Sequence, residues 1–309
     1  MIYTVTFNPA VDYVIFTDGL KTGCINRSIR ETAFVGGKGI NVSRMLKTLG
    51  VESTALGFIA GFTGNAVEHG LKEEGIKTDF VRLPSGLTRI NVKIRSGEET
   101  DINAQGPDIS EDDVKGLMSR LDALSDGDIL VLAGSIPSTL PPDIYERIMS
   151  RLSGRGILFA VDAEGELLVK CLPYKPFLIK PNNDELSEIF GVKINTVQDA
   201  EKYSAELRGM GAGNVIVSMG GGGALLCDSN GKTFFESASR GEVKNTVGAG
   251  DSMVAGFIAG YTKGLSLPDS LRLGSAAGSA TAFSEGLGDK EMIEKLLLEK
   301  QQKNSSGGI

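Results

Sequence analysis

From residue 110 to residue 218 the chain alternates between helix-like and strand-like runs, and no other feature narrows the fold as far. Apolar spacing predicts helix over 110–124 and strand over 128–132, then helix 141–152 and strand 157–161. Helix 164–171 and strand 177–180 follow, then helices near 184–190 and 197–208 before strand 214–218. Short strands without polar interruption, such as Ile129-Leu130-Val131-Leu132, are hydrophobic on both faces. Separated by helical crossovers, such strands form a parallel sheet covered on both sides, an α/β fold. Earlier segments add to that frame. Residues 2–7 and 53–59 read as further buried strands, and 64–74 as a helix. Asn8-Pro9-Ala10-Val11-Asp12 reads as a turn ending in an acid. Residues 223–236 predict a hairpin turning at Asp228-Ser229-Asn230-Gly231, and the C-terminal part predicts helices over 251–263, 267–285 and 289–300. Two stretches break the rhythm. Residues 12–34 are short extended pieces, and 86–105 alternate as an antiparallel ribbon with Ser96-Gly97-Glu98-Glu99 as its turn. Together they predict a small β-sheet lid on a single domain spanning 1–309, with 301–309 as a frayed polar tail.

Composition closes several routes. At 309 residues and 41% hydrophobic content the chain can bury a large core. A net charge of -7 with scattered basic residues offers no footprint for nucleic acid. No apolar run reaches membrane-span length, and Met1-Ile2-Tyr3-Thr4-Val5 lacks a basic leader. Cys24, Cys171 and Cys227 are far apart with no C-x-x-C, which points to reduced thiols in the cytoplasm and away from zinc. His69 is the only histidine, and no G-x-S-x-G elbow accompanies it, so a Ser-His-Asp hydrolase has no support.

The chemistry concentrates in Asn245-Thr246-Val247-Gly248-Ala249-Gly250-Asp251-Ser252. A helix pattern through Met253, Val254, Phe257, Ile258 and Tyr261 follows at once. Gly248, Ala249 and Gly250 therefore fall at a helix N-terminus, where unpaired amides and the helix dipole attract anions. An anion hole beside a carboxylate suits phosphoryl transfer, with Asp251 accepting the proton of an attacking hydroxyl. The dipole predicts an ionised Asp251 that serves by placement more than by a raised pKa. The plainer alternative is a glycine loop capped by Asp. Gly36-Gly37-Lys38-Gly39 with Asn41 opens another helix, where glycine amides and the Lys38 charge can reach a ligand. Asp12 suits sugar hydroxyls, or bonds its own turn. Asn182 and Glu185, three apart after Lys180, share a helix face and suit water around Mg²⁺; a cap at Asn183 or Asp184 is the rival. A P-loop is excluded, because Leu226 and Thr32 stand where its first glycine belongs, before Lys232 and Lys38 respectively. The glycines at 220–223 lead into a strand, which excludes a dinucleotide fingerprint.

Taken in order, GGKG-x-N at 36–41 and TVGAGDS at 246–252 resemble the two signatures of the ribokinase-like (PfkB) sugar kinases. NPAVD at 8–12, TRINVK at 88–93, AGSIP at 133–137, KPNNDE at 180–185 and VSMGGGGA at 217–224 also fall where that family has motifs. The resemblance implies a three-layer α/β/α sandwich with a mostly parallel central sheet and the small lid. It implies Asp251 as base and Gly248, Ala249 and Gly250 as anion hole. Asp12, Gly37, Lys38, Asn41 and Ser135 would contact a sugar phosphate, with Arg89 and Arg27 closing over it. Ser218, Gly220, Gly223 and Gly250 would border ATP. Lys180, Asn182 and Glu185 would lie near its phosphates, with Glu185 holding Mg²⁺ through water. One departure is Cys24, where some relatives carry a lid Lys; Arg27 stands as its replacement. Within the family the motifs are most similar to those of kinases that convert fructose 1-phosphate to fructose 1,6-bisphosphate. Tagatose 6-phosphate or fructose 6-phosphate as substrate, and a non-catalytic sensor, remain the alternatives. Apolar Val14, Ile15, Phe16, Ile90, Val92 and Ile94 on a single-layer lid predict a homodimer through the lids.

Overall fold

The computed structural model describes residues 1–306, with Glu98 and 301–306 described by backbone alone. Strand β1 (Ile2–Thr6) is followed by β2 (Ala10–Phe16) and β3 (Arg30–Gly36), which leave the main sheet. Helix α1 (Lys38–Thr48), β4 (Thr54–Ile59), α2 (Gly61–Glu73), β5 (Lys77–Thr78) and β6 (Val81–Arg82) return to it. A second excursion makes β7 (Arg89–Ser96) and β8 (Glu98–Asn103). The alternation then runs α3 (Glu111–Leu121), β9 (Ile129–Ala133), α4 (Ile144–Leu152), β10 (Leu158–Asp162), α5 (Gly165–Cys171) and β11 (Leu178–Ile179). It continues through α6 (Asn183–Phe190), α7 (Val197–Gly209) and β12 (Asn214–Ser218). The hairpin β13 (Ala224–Cys227) and β14 (Thr233–Glu236) precedes α8 (Ala249–Thr262), α9 (Leu267–Ala282) and α10 (Lys290–Ser306). Helix α10 thus runs past its expected end at 300, and residues 307–309 of the expected tail lie outside the described residues.

The main sheet runs β14-β13-β12-β11-β10-β9-β1-β4-β5, with β6 pairing the far end of β4. It is parallel from β12 to β5, and the hairpin adds two antiparallel strands at one edge. The period of two is visible in its cores. Leu130 and Leu132 pack with Leu117, Ile148, Leu168, Leu186 and Leu207 from α3–α7. Their neighbours Ile129 and Val131 pack with Met45, Phe257, Ala276 and Ile293 from α1, α8, α9 and α10. Helices therefore cover both faces, and the fold is the three-layer α/β/α sandwich.

Strand β1 sits between β4 and β9, so successive crossovers leave it in opposite directions. In parallel sheets a ligand crevice opens at such a switch point, beyond the carboxyl ends of the strands. A separate sheet, ordered β3-β2-β7-β8, stands at that end. Its hairpins are antiparallel, but β2 pairs β7 in parallel, which sets Asp12 opposite Asn91. Asp12 therefore lies within a strand and not in the expected turn. Alternation divides the sheet's apolar residues between its faces. Ile15, Ile90, Val92 and Ile94 share one face, whereas Val14 and Phe16 fall on the side of Asp12.

Candidate active site

Charged groups from five carboxyl-end segments converge beneath the small sheet in a cavity of about 590 Å³. The connection from β3 to α1 needs glycine. Gly37 has φ 134°, and a Cβ there would stand 2.7 Å from Thr6 Cγ2. Lys38 then points over the sheet, its Nζ 3.2 Å from Glu164 Oε1 beyond β10. Asp162, at the end of β10, pairs with Lys180 after β11 at 3.2 Å, and both are buried. Asn182 is the N-cap of α6: its side chain accepts from the Glu185 amide at 2.7 Å, and Glu185 Oε2 accepts from the Asn182 amide at 2.8 Å. The cap is thus Asn182 itself, closed by a reciprocal capping box. Asn182 also bridges Ser218 at the end of β12. From the small sheet, Asp12 accepts from Asn91 Nδ2 at 2.8 Å, and Arg89 Nε donates to the Asn8 carbonyl at 3.1 Å.

Helix α8 aims its N-terminus into the same space. Gly248 caps it at φ 82°, a conformation that strains any other residue. Ala249 N–H donates to the Thr246 carbonyl at 3.2 Å, while the amides of Gly248 and Gly250 find no acceptor among the described residues. The available donors of the glycine run are therefore Gly248 and Gly250. Asp251 is only 5% exposed, and its Oδ2 accepts from Asn41 Nδ2 at 2.8 Å.

Burial decides the charges here. It pushes the Asp251 carboxyl up to about 6, helped by the nearby Asp162 charge, against the Asn41 hydrogen bond and the Lys38 and Lys180 charges. The dipole argument expected an unperturbed acid; desolvation outweighs it. Burial also raises Glu185 and lowers Arg89. Lys38 is pulled down by burial, yet Asp162, Glu164 and Asp251 together hold it above its ordinary value.

Asp12, Gly37, Lys38, Asn41, Arg89, Lys180, Asn182, Glu185, Ser218, Gly220, Gly248, Gly250 and Asp251 all line the cavity. Ala249 and Gly223 instead line an adjoining, more apolar cavity of about 460 Å³ that shares Ser218, Gly220 and Gly250. Ser135 and Arg27 are exposed and line neither cavity. Ser135 lies in the loop after β9, next to Gly134, where an added Cβ would meet the Lys38 side chain at 3.7 Å. Arg27 lies in the exposed connection between β2 and β3. Asn91, Lys93 and Asp162 line the cavity without having been anticipated. The first two alternate with Arg89 at period two, a signal that places them on its face. Asp162 had only the weak sign of an acid ending an apolar strand.

Comparison with known proteins agrees with this architecture. The profile of the pfkB family of carbohydrate kinases matches residues 5–294. The chain is 50% identical to the 1-phosphofructokinase of Bacillus subtilis, over 97% of this chain and 98% of that protein. It is 40% identical to the D-tagatose-1-phosphate kinase of Bacillus licheniformis, over 96% and 97%. Phosphofructokinase-2 from Escherichia coli, solved in complex with substrates and products, superposes with a TM-score of 0.89 at 30% identity, covering 97% of this chain and 99% of that one. The protein therefore belongs to the pfkB family of carbohydrate kinases and is a phosphotransferase that acts on an alcohol group.

Proposed function

We propose that the protein transfers the γ-phosphoryl group of ATP to the free primary hydroxyl of fructose 1-phosphate, giving fructose 1,6-bisphosphate and ADP. The observation that carries this reading is the buried Asp251 carboxylate beside the amides of Gly248 and Gly250, facing a cavity lined by Lys38, Arg89, Lys93 and Lys180. Two anionic substrates must meet there, and these cations offset their repulsion. The small sheet acts as a lid: Asp12 takes sugar hydroxyls, while Arg89 and Lys38 take the sugar phosphate. Asn41 holds Oδ2 of Asp251, which leaves Oδ1 for the attacking hydroxyl. That hydroxyl gives its proton to Asp251 as its oxygen bonds to the γ-phosphorus, and the bond to the bridging oxygen of ADP breaks. The Gly248 and Gly250 amides hold the transferring group, whose negative charge they match. The adjoining apolar cavity, bordered by Gly223 and Ala249, takes the adenine.

A magnesium ion fits the donor set through water. Glu185 is half-buried in the cavity with Oε1 lacking a partner among the described residues, and no trio of ligating side chains there could hold a metal directly. Glu185, with Asn182, would hold its water shell, and the ion would neutralise phosphate charge.

Substituting Asp251→Asn should preserve ATP and phosphosugar binding and lower turnover by roughly 10²-fold or more. Near-normal turnover in a coupled ADP-release assay would remove Asp251 from the mechanism. The same assay on the wild type separates a kinase from a sensor. A second reading, a tagatose phosphate as substrate, is favoured by the relative from B. licheniformis. Steady-state kinetics with fructose 1-phosphate, fructose 6-phosphate and the tagatose phosphates decides among them.

The outer face of the lid carries Ile90, Val92 and Ile94, and Ile102 at 58% exposure. A second copy's lid suits this face, which makes the protein a homodimer. No helix among the described residues is long and apolar enough to cross a membrane, and the three thiols are free, in keeping with a cytoplasmic enzyme.

A further inference from the structure

Glu164 stands at the N-cap of α5, a position that favours short side chains able to bond the first turn. Its carboxylate makes no such bond. It reaches instead to Lys38, 126 positions away in sequence, at 3.2 Å. It makes no other hydrogen bond or ion pair among the described residues. Glu164 is 68% exposed in its side chain and lies at the rim, whereas Lys38 is half-buried and lines the cavity. Lys38 also opens α1, so its charge adds to a helix N-terminus that already favours anions. Asp162 and Asp251 face the same ammonium from within. The cation expected to meet a phosphate oxygen is therefore held by a removable carboxylate at the cavity mouth.

We propose that Glu164 is an internal counter-ion that occupies Lys38 until a phosphate oxygen of the substrate displaces it, and so sets the affinity for the phosphorylated substrate. The inference rests on the kinase reading given above for the identity of that substrate, but the displacement itself needs only an anion. A solvent-facing ion pair is weak, so displacement costs little and Glu164 tunes binding without blocking it. Once displaced, its carboxylate returns to water near two bound anions, which further weakens their retention. The Glu164 side chain makes no hydrogen bond to the first turn of α5, so its charge can be removed without breaking a cap.

Glu164→Gln tests this, with Glu164→Ala as the second variant. Removing the carboxylate should lower KM for fructose 1-phosphate by about two- to fivefold at low ionic strength, with kcat unchanged. The gap to the wild type should close at high salt, which screens an exposed pair. Calorimetry with inorganic phosphate alone should show tighter binding to both variants. A fall in KM for ATP instead of the sugar also supports displacement and assigns the displacing oxygen to the nucleotide. Unchanged phosphate affinity together with unchanged KM for both substrates overturns the inference. Wild-type protein without turnover on any phosphosugar would overturn the kinase reading alone, because the calorimetric comparison still reads the displacement.

Discussion

At the scale of the residue, Asp251 in its proposed role as base carries opposing demands. A general base must be ionised, and the same ionised carboxylate is costly where Asp251 lies. Its pKa, pushed up to about 6 by burial, sits above the ordinary value of 3.8. Activity should therefore fall as pH drops through about 6, by about tenfold per unit once the base is protonated. A kcat/KM profile from pH 5 to 8 checks this, and a flat profile would separate Asp251 from the rate. Stability moves the other way. A folded-state pKa above the unfolded one means that the fold binds the proton more tightly, so stability declines as pH rises from 3.8 through 6. Replacing the acid by a neutral amide removes that cost, which is on the order of 2–3 kcal/mol at most. Asp251→Asn should melt higher than the wild type at pH 8, with the difference vanishing below pH 4, as thermal scans at the two pH values would show. A more stable yet inactive variant is the pattern expected where function holds a strained group in place.

At the scale of the element, the capping box of α6 links stability to the site. Asn182→Ala removes one of its two hydrogen bonds and should cost about 1 kcal/mol of stability. The Glu185 carboxylate keeps its bond to the residue 182 amide, but the Asn182 side chain is lost from the proposed water shell, so the magnesium concentration for half-maximal rate should rise while KM for the sugar holds. A titration of rate against magnesium distinguishes this from a general loss of fold. Elements of this kind were readable in the sequence. Helices after the glycines at 36–39, near 184 and from 251, and a hairpin turning at 228–231, follow from glycine and apolar spacing, and the observed helices begin at Lys38, Asn183 and Ala249, within two residues. The strand around Asp12 was not readable, because Asn8 and Pro9 imitate a turn and β2 is held by partners on β3 and β7. Asn91 met Asp12 only through a parallel register joining segments 79 positions apart, which no local pattern encodes. Ser135 and Arg27 came from motif position, which gives neighbourhood but not direction. The raised pKa of Asp251 was hidden for a similar reason: helix polarity is legible in a sequence, but depth of burial is a property of the assembled layers.

At the scale of the whole molecule, the main sheet is sealed by helices on both faces, while the apolar face of the small sheet is packed on the main body, among the described residues, only at Val11 and Val35 and leaves Ile90 and Ile102 exposed. If a second copy covers it, Ile102→Glu should turn a dimer into a monomer while leaving the melting temperature of the main body unchanged. Sedimentation of both proteins decides this, and a wild type that sediments as a monomer at micromolar concentration would count against the lid-to-lid arrangement. Ile102 projects away from the cavity, so turnover lost with the dimer would mean that closure depends on the partner. Strand β3 ends at Gly36, helix α1 begins at Lys38, and a single residue, Gly37, joins the roof of the cavity to one of its walls. Roof and wall are thus tethered like the two arms of a tweezer. Under the proposed function, a hexose gripped by the upper arm would tug the lower one toward it, so that recognition at one end of the sugar would be felt mechanically at the other.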